Sequence, residues 1–188
     1  MQVRLDKRAR IIADGGQAYP VDLLRDHTLV QVRQKYTDDT GELTLAPGEE
    51  TTDEVTVGGR VVFVRNTGKL CFASLQDGFT ETSNGERLQI MLSKAEVGDE
   101  SLAAWKSDVD LGDHVWVRGR VVVSRRGELS IMAAEWRLAS KALRPLPTLH
   151  KELSEESRVR RRYADLVVRE ESRQMVRTRA LITRAVRR

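Results

Sequence analysis

Arg65, Phe72, Gln89 and Glu128 bring together a guanidinium, a flat π-surface, an amide and a carboxylate. That set suits an unpaired nucleobase. A ring on a β-surface stacks a splayed base, worth about 1–3 kcal/mol by truncation. An amide carries both donor and acceptor and can read a Watson–Crick edge, whereas a carboxylate only accepts. Lys69, with Arg125 and Arg126, adds cations that would neutralise phosphates and make binding salt-dependent. Each residue also has a blander reading: Phe72 under a loop, Gln89 and Glu128 as surface decoration, Arg65 paired with an acid. Convergence on one face is what favours a shared site.

The convergence is a matter of strand parity, because side chains alternate faces along a strand. In LCFASLQD (70–77), Cys71, Ala73 and Leu75 form a compact apolar set, leaving Leu70, Phe72, Ser74 and Gln76 on the other side. In RLQIMLS (87–93), Leu88, Ile90 and Leu92 point in, and Arg87, Gln89, Met91 and Ser93 point out. In ELSIMAAEWRLA, Leu129, Ile131 and Ala133 point in, and Glu128, Ser130 and Met132 point out. VTVGGRVVFVR (55–65) puts Val62 and Val64 on one side, and Val61, Phe63 and Arg65 on the other.

These strands follow two short helical stretches. VRLDKRARIIADGG reads as a helix closed by Gly15-Gly16, with Arg4, Lys7 and Arg8 as a basic stripe that offers further phosphate contacts. A second helix is expected after Asp26 or Thr28. Residues 37–53 are acidic and rich in Thr, Gly and Pro, which predicts an exposed loop. From residue 55 the period is two: strand, turn NTGK, strand, a turn-rich GFTETSNGE, strand. Helical content around SLAAWK closes on Gly112, and two long strands follow, joined by the turn RRG at 125–127. Five strands with a helix between the third and fourth, and Gly59, Gly119 and Gly127 at bends and turns, predict a mainly β protein built on a small OB-type barrel. An SH3-like barrel competes; the interposed helix argues against it.

Charge is divided along the chain of 188 residues. Residues 141–188 hold 14 Lys/Arg against 6 Asp/Glu, a surplus of 8, while the whole chain carries +4, so residues 1–140 are net acidic. Nucleic-acid binding by the barrel must then use local patches and stacking. One cysteine allows no internal disulfide, and His27, His114 and His150 lack metal-ligand spacing, so no metal site is expected. Cys71 reads as an inert core thiol and the three tryptophans as packing residues. No apolar run approaches the roughly 20 residues of a membrane span, and MQVRLDKRAR lacks the apolar centre of a secretory signal. A reducing, cytoplasmic setting is expected, with no membrane contact from this segment.

Beyond the barrel, Pro145 and Pro147 stop the last strand and stiffen a hinge. Ser154, followed by Glu155 and Glu156, predicts a helix N-terminus, and that helix is expected to run through RVRRRYADLVV. Another begins near Glu170 with Met175, Leu181, Ile182 and Ala185 on an apolar stripe that has no partner in the sequence. The expected organisation is a helical segment and acidic loop (1–53), an OB domain (54–143), a hinge and linker helix (144–168), and the start of a further domain (169–188).

GKLCFASLQD, RLQIMLS, RRGELSIMAAEWRLASKALRPLP and EESRVRRRYADLVV resemble the N-terminal part of a bacterial, and more narrowly actinobacterial, class IIb lysyl-tRNA synthetase. The likeness covers nearly the whole chain in order, and the GELS…KALRPLP run separates the lysyl type from its aspartyl and asparaginyl relatives. The resemblance implies an OB barrel that grips the anticodon of tRNA-Lys: Phe72 stacked on the central uracil, Arg65 and Gln89 hydrogen-bonding it, and Glu128 reading the neighbouring base. It implies a homodimeric parent that joins lysine to tRNA with ATP and Mg2+, and makes RTRALITRAVRR the opening helix of motif 1 at the dimer interface. Motifs 2 and 3 are absent from the sequence, so no catalytic residue or cofactor is assigned to this segment, which is expected to be inactive alone. GFTETSNGE is longer than the turn the family leads one to expect. Two other parents fit less well: a bifunctional membrane protein that couples a synthetase half to lysyl-phosphatidylglycerol synthesis, and a free OB protein for single-stranded nucleic acid without base preference.

Overall fold

Thr28 does what a capping residue should. Its hydroxyl accepts from the Gln31 backbone N–H while the Gln31 side chain accepts from the Thr28 N–H, so helix α2 (Leu29–Lys35) starts there, after α1 (Gln2–Ala13). The computed structural model describes residues 1–78, 86–147 and 153–188. Most of GFTETSNGE, together with His150, lies outside them. Strand β1 (Glu50–Asn66) is followed by β2 (Leu70–Gln76), β3 (Arg87–Ser93), helices α3 (Lys94–Val97) and α4 (Asp99–Asp108), β4 (His114–Val123) and β5 (Leu129–Ser140). The five strands close a barrel in the order β1-β2-β3-β5-β4. Only the β3–β5 seam is parallel; the other four pairings are antiparallel. This is the expected OB arrangement, with helices at both ends of the chain.

The inward sets on β2, β3 and β5 are as parity predicts. Cys71, Ala73, Leu75, Leu88, Ile90, Leu92, Leu129, Ile131 and Ala133 are all buried in one core, with Val57, Val115, Val117 and Val121 from the other strands. Each fully buried Leu or Ile contributes about 1.5–3 kcal/mol. Burial raises the Cys71 thiol pKa, consistent with an unreactive core residue. Trp105 packs edge-on against Trp136 at 5.0 Å and holds α4 against the barrel, with the Trp136 indole N–H donating to the Ser101 hydroxyl at 2.9 Å.

Three expectations change. First, β1 begins at Glu50 rather than 55, because the backbone of this acidic stretch pairs with β4 (Glu50 opposite Val122, Glu54 opposite Arg120) and Thr51 donates its hydroxyl to the Val121 carbonyl. Second, Val61 points inward, opposite Leu75, although alternation counted back from Arg65 sends it out. The register jumps between Val61 and Phe63, so Val62 is an extra, bulged residue. Third, the helix after Ser154 breaks at Arg161 (φ −122°, ψ 51°) into α5 (Glu155–Arg160) and α6 (Arg162–Val168) before α7 (Glu170–Val186). Met175, Leu181 and Ile182 on α7 are exposed, as their unpartnered stripe predicts.

Two glycines are needed for shape. Gly127 takes φ +81° in the β4–β5 turn, and at Gly119 a Cβ would sit 2.0 Å from the Met132 carbonyl oxygen. Where β5 ends, Lys141 is wholly buried: its ammonium donates to the Asp108 carbonyl (2.5 Å), Asp110 (2.6 Å) and Asp113 (2.7 Å). Asp113, equally buried, also accepts from the Ala142 and Asp110 backbone N–H groups, each at 2.8 Å. The segment after β5 therefore starts from an ionic clamp, four residues before Pro145.

Candidate nucleic-acid interface

Registers across β1, β2, β3 and β5 arrange the outward side chains in two adjacent rows. One row reads Arg65, Phe72, Met91, Met132, and the next reads Phe63, Ser74, Gln89, Ser130. The bulge at Val62 makes this possible. With Val61 facing inward, unbroken alternation would aim residues 63 and 65 into the barrel; the extra residue turns both outward and returns Val64 to the inside beside Ala73.

Phe72 is half-buried on this face, and the Arg65 guanidinium lies over its ring, 4.9 Å from the centroid. Such a contact is worth about 0.5–1 kcal/mol at an exposed site, less than the roughly 1–3 kcal/mol of base–aromatic stacking. A base can therefore displace the guanidinium, which then becomes free to donate to the base or its phosphate. The Gln89 amide donates to the Ser130 hydroxyl at 2.8 Å, and that hydroxyl donates to the Glu128 carbonyl at 2.9 Å. Because the serine proton is committed to the carbonyl, its oxygen must accept, which fixes the amide. Nε2 faces Ser130, and Oε1 with the second N–H is left for a ligand edge. Ser130 has outward parity yet is 0% exposed, held inside this relay.

Glu128 stands just before β5, in the turn where its backbone N–H donates to the Ser124 hydroxyl at 3.0 Å. Its carboxylate is exposed, as are Arg65, Lys69, Arg125 and Arg126, and none of the five forms an ion pair among the described residues. Elsewhere on the barrel the pattern differs: Arg118 pairs with Glu54 and Glu135, and Arg120 with Glu50 and Glu96. Exposed cations left without internal acids, one of them over a half-buried ring on the outward face, suit a polyanion with unstacked bases.

The N-terminal stripe has a different use. Arg4 donates to the carbonyls of Ala142 (2.9 Å) and Leu111 (2.8 Å), and Lys7 pairs with Asp110 at 2.8 Å. Arg4 and Lys7 thus pin α1 to the barrel end beside the Lys141 clamp, and they are withdrawn as phosphate ligands. Arg8 lies over the Tyr19 ring at 5.6 Å. Sequence reasoning leaves Ser130, Met91, Met132 and Phe63 out of the site although parity places all four outside; for the first three the missing signal is the β3–β5 seam, which only the barrel's closure makes, and for Phe63 it is the β1–β2 register.

Residues 55–139 match the family of tRNA anticodon OB-fold nucleic acid binding domains. The whole chain is 58% identical to a lysine--tRNA ligase of Kineococcus radiotolerans, covering 35% of that relative. A lysine--tRNA ligase of Mycolicibacterium gilvum is 55% identical over 99% of the chain and 35% of the relative. A lysylphosphatidylglycerol biosynthesis bifunctional protein of Rhodococcus jostii is 35% identical over 100% of the chain and 15% of the relative. The chain thus spans about a third of the length of the ligases it matches. Its barrel is an anticodon-type OB-fold domain, carried in a chain similar to lysine--tRNA ligases over about a third of their length.

Proposed function

We propose that the outward face of β1, β2, β3 and β5 binds the anticodon of tRNA-Lys, within a cytoplasmic ligase whose remaining part joins lysine to that tRNA. The observation that carries the reading is the half-buried Phe72 ring on the outward face under the Arg65 guanidinium, with Gln89 held in one orientation on the neighbouring strand. Uracil presents an N3–H donor between two carbonyl acceptors. A fixed Gln89 Oε1 accepts from the N3–H, its spare N–H reaches a carbonyl, and the Phe72 ring stacks the base between. Glu128 can only accept, so it selects a neighbouring base with a donor on its edge. Lys69, Arg125 and Arg126, together with Arg8, neutralise phosphates.

On this reading ATP and Mg2+ serve the part of the enzyme that activates lysine. The described residues gather no group of three or more His, Cys, Asp or Glu that could hold a metal. The exposed apolar residues of α7 fit the homodimer contact of the full-length enzyme. No described helix is long and apolar enough to cross a membrane. Identity of 58% to a ligase against 35% to the bifunctional lipid-pathway protein supports the free ligase as parent.

The test is competition at fixed salt between anticodon stem-loops carrying three uridines or three cytidines. Preferential binding of the uridine loop, lost together with affinity in Phe72→Ala, is expected. Equal binding of both loops would leave a non-specific OB protein as the answer.

A further inference from the structure

Phe63 is 52% exposed, in a chain whose aromatic content is only 5%, and base recognition by Phe72, Gln89 and Glu128 gives it no role. The bulge at Val62 turns this ring out of the barrel, and bulges beside functional sites commonly re-aim a side chain in this way. Phe63 stands opposite Ser74 and diagonal to Phe72, on the side of Phe72 away from Gln89 and Glu128. Ser74 between them is small and leaves the surface open. From the β1 column to the β5 column is three strand spacings, about 14 Å at ~4.8 Å each, a length that three unstacked nucleotides span. A strand of RNA crossing the sheet meets Glu128 first, then Phe72 with Gln89, then Phe63.

We propose that Phe63 is a second stacking platform, holding the unpaired base that flanks the one on Phe72, on the side away from Glu128. The proposal rests on the anticodon reading of the same face. It adds a second residue of β1, beside Arg65, to the recognition surface and sets the footprint at three consecutive bases. Stacking tolerates any base, so this position contributes affinity and spacing more than identity.

The experiment uses the full chain with uridine stem-loops bearing an abasic nucleotide at each of the three anticodon positions in turn. Phe63→Ala should weaken binding of the intact loop within the five- to 150-fold range expected for truncating a stacking ring, and Phe63→Trp should restore it. The Phe63→Ala loss should vanish on one abasic RNA only, at the position adjacent to the one where the Phe72→Ala loss vanishes. If Phe72→Ala weakens binding and Phe63→Ala does not, the second platform is wrong and the anticodon reading stands. If neither does, the anticodon reading itself fails. A Phe63→Ala loss that persists on all three abasic RNAs would mean the ring acts through the fold, and would overturn the proposal.

Discussion

Ser130→Ala offers a sharp test of how base identity is read. Ser130 touches no ligand on this account; it holds the Gln89 amide by accepting one N–H while donating to the Glu128 carbonyl. Alanine removes both bonds. The Glu128 carbonyl keeps the Ser124 backbone N–H at 2.9 Å, so the turn retains its closing hydrogen bond. The amide, however, becomes free to rotate by half a turn. Flipped, it presents N–H where Oε1 was, which matches the N3 acceptor of cytosine instead of the N3–H of uracil. The orienting bond is neutral and sheltered, worth about 0.5–1.5 kcal/mol net, so the preference for uracil over cytosine should fall about two- to tenfold. Phe72 stacking is untouched, and affinity for the uridine loop should drop less than threefold. The assay is anisotropy titration of the variant with both loops at one salt concentration. An unchanged ratio would refute the amide-orientation argument, and a collapse of affinity for both loops would show Ser130 acting through the fold.

Removing the ammonium in Lys141→Met leaves the buried Asp113 carboxylate without its charge partner and should cost about 3–5 kcal/mol in denaturant unfolding; Asp113→Asn in the same chain should recover part of that. Alanine at Lys69, Arg125 or Arg126 should each lower the salt slope of RNA binding by roughly 0.7 for every phosphate no longer neutralised, whereas Arg4→Ala should lower stability and leave the slope alone, since Arg4 is bound to backbone carbonyls. Burial works to raise the Asp110 and Asp165 pKa values, but Lys141 and Lys7 on the first, and Ser172, Arg169 and Arg162 on the second, hold both below the usual range. Their stabilisation is present above about pH 3.9 and is lost as pH falls through the folded values. His114 is depressed by burial and by Arg60, so its contribution is intact above about pH 6.5 and fades as pH falls toward its folded value. Melting temperature should therefore decline in two stages on acidification, and His114→Gln should flatten the upper one.

Much of the fold is legible in the residues. Cys71, Ala73 and Leu75 announce their face of β2, and the helix between β3 and β4 separates the OB barrel from its competitor. What resists reading is non-local. Glu50 to Glu54 look like loop because they are acidic and Thr-rich, yet their backbone pairs with β4, which composition cannot reveal. A bulge adds one residue without a sequence mark, so alternation puts Val61 on the wrong face while Phe63 and Arg65 come out correctly. Arg4 and Lys7 form a regular basic stripe, and nothing local shows that carbonyls and a carboxylate from residues 110–142 meet it. Parity places Arg65, Phe72 and Gln89 on the outward face, where the structure has them. It puts Ser130 there too, but that the Ser130 hydroxyl meets the Gln89 amide follows only from the parallel β3–β5 register.

The most direct measurement is the dissociation constant of Phe72→Ala for the uridine anticodon stem-loop, at one fixed salt concentration and with the fold verified by its melting curve. A loss of about 1–3 kcal/mol, as for other base-stacking rings, is expected. A constant equal to the parent's, in a folded variant, would contradict the account at its centre.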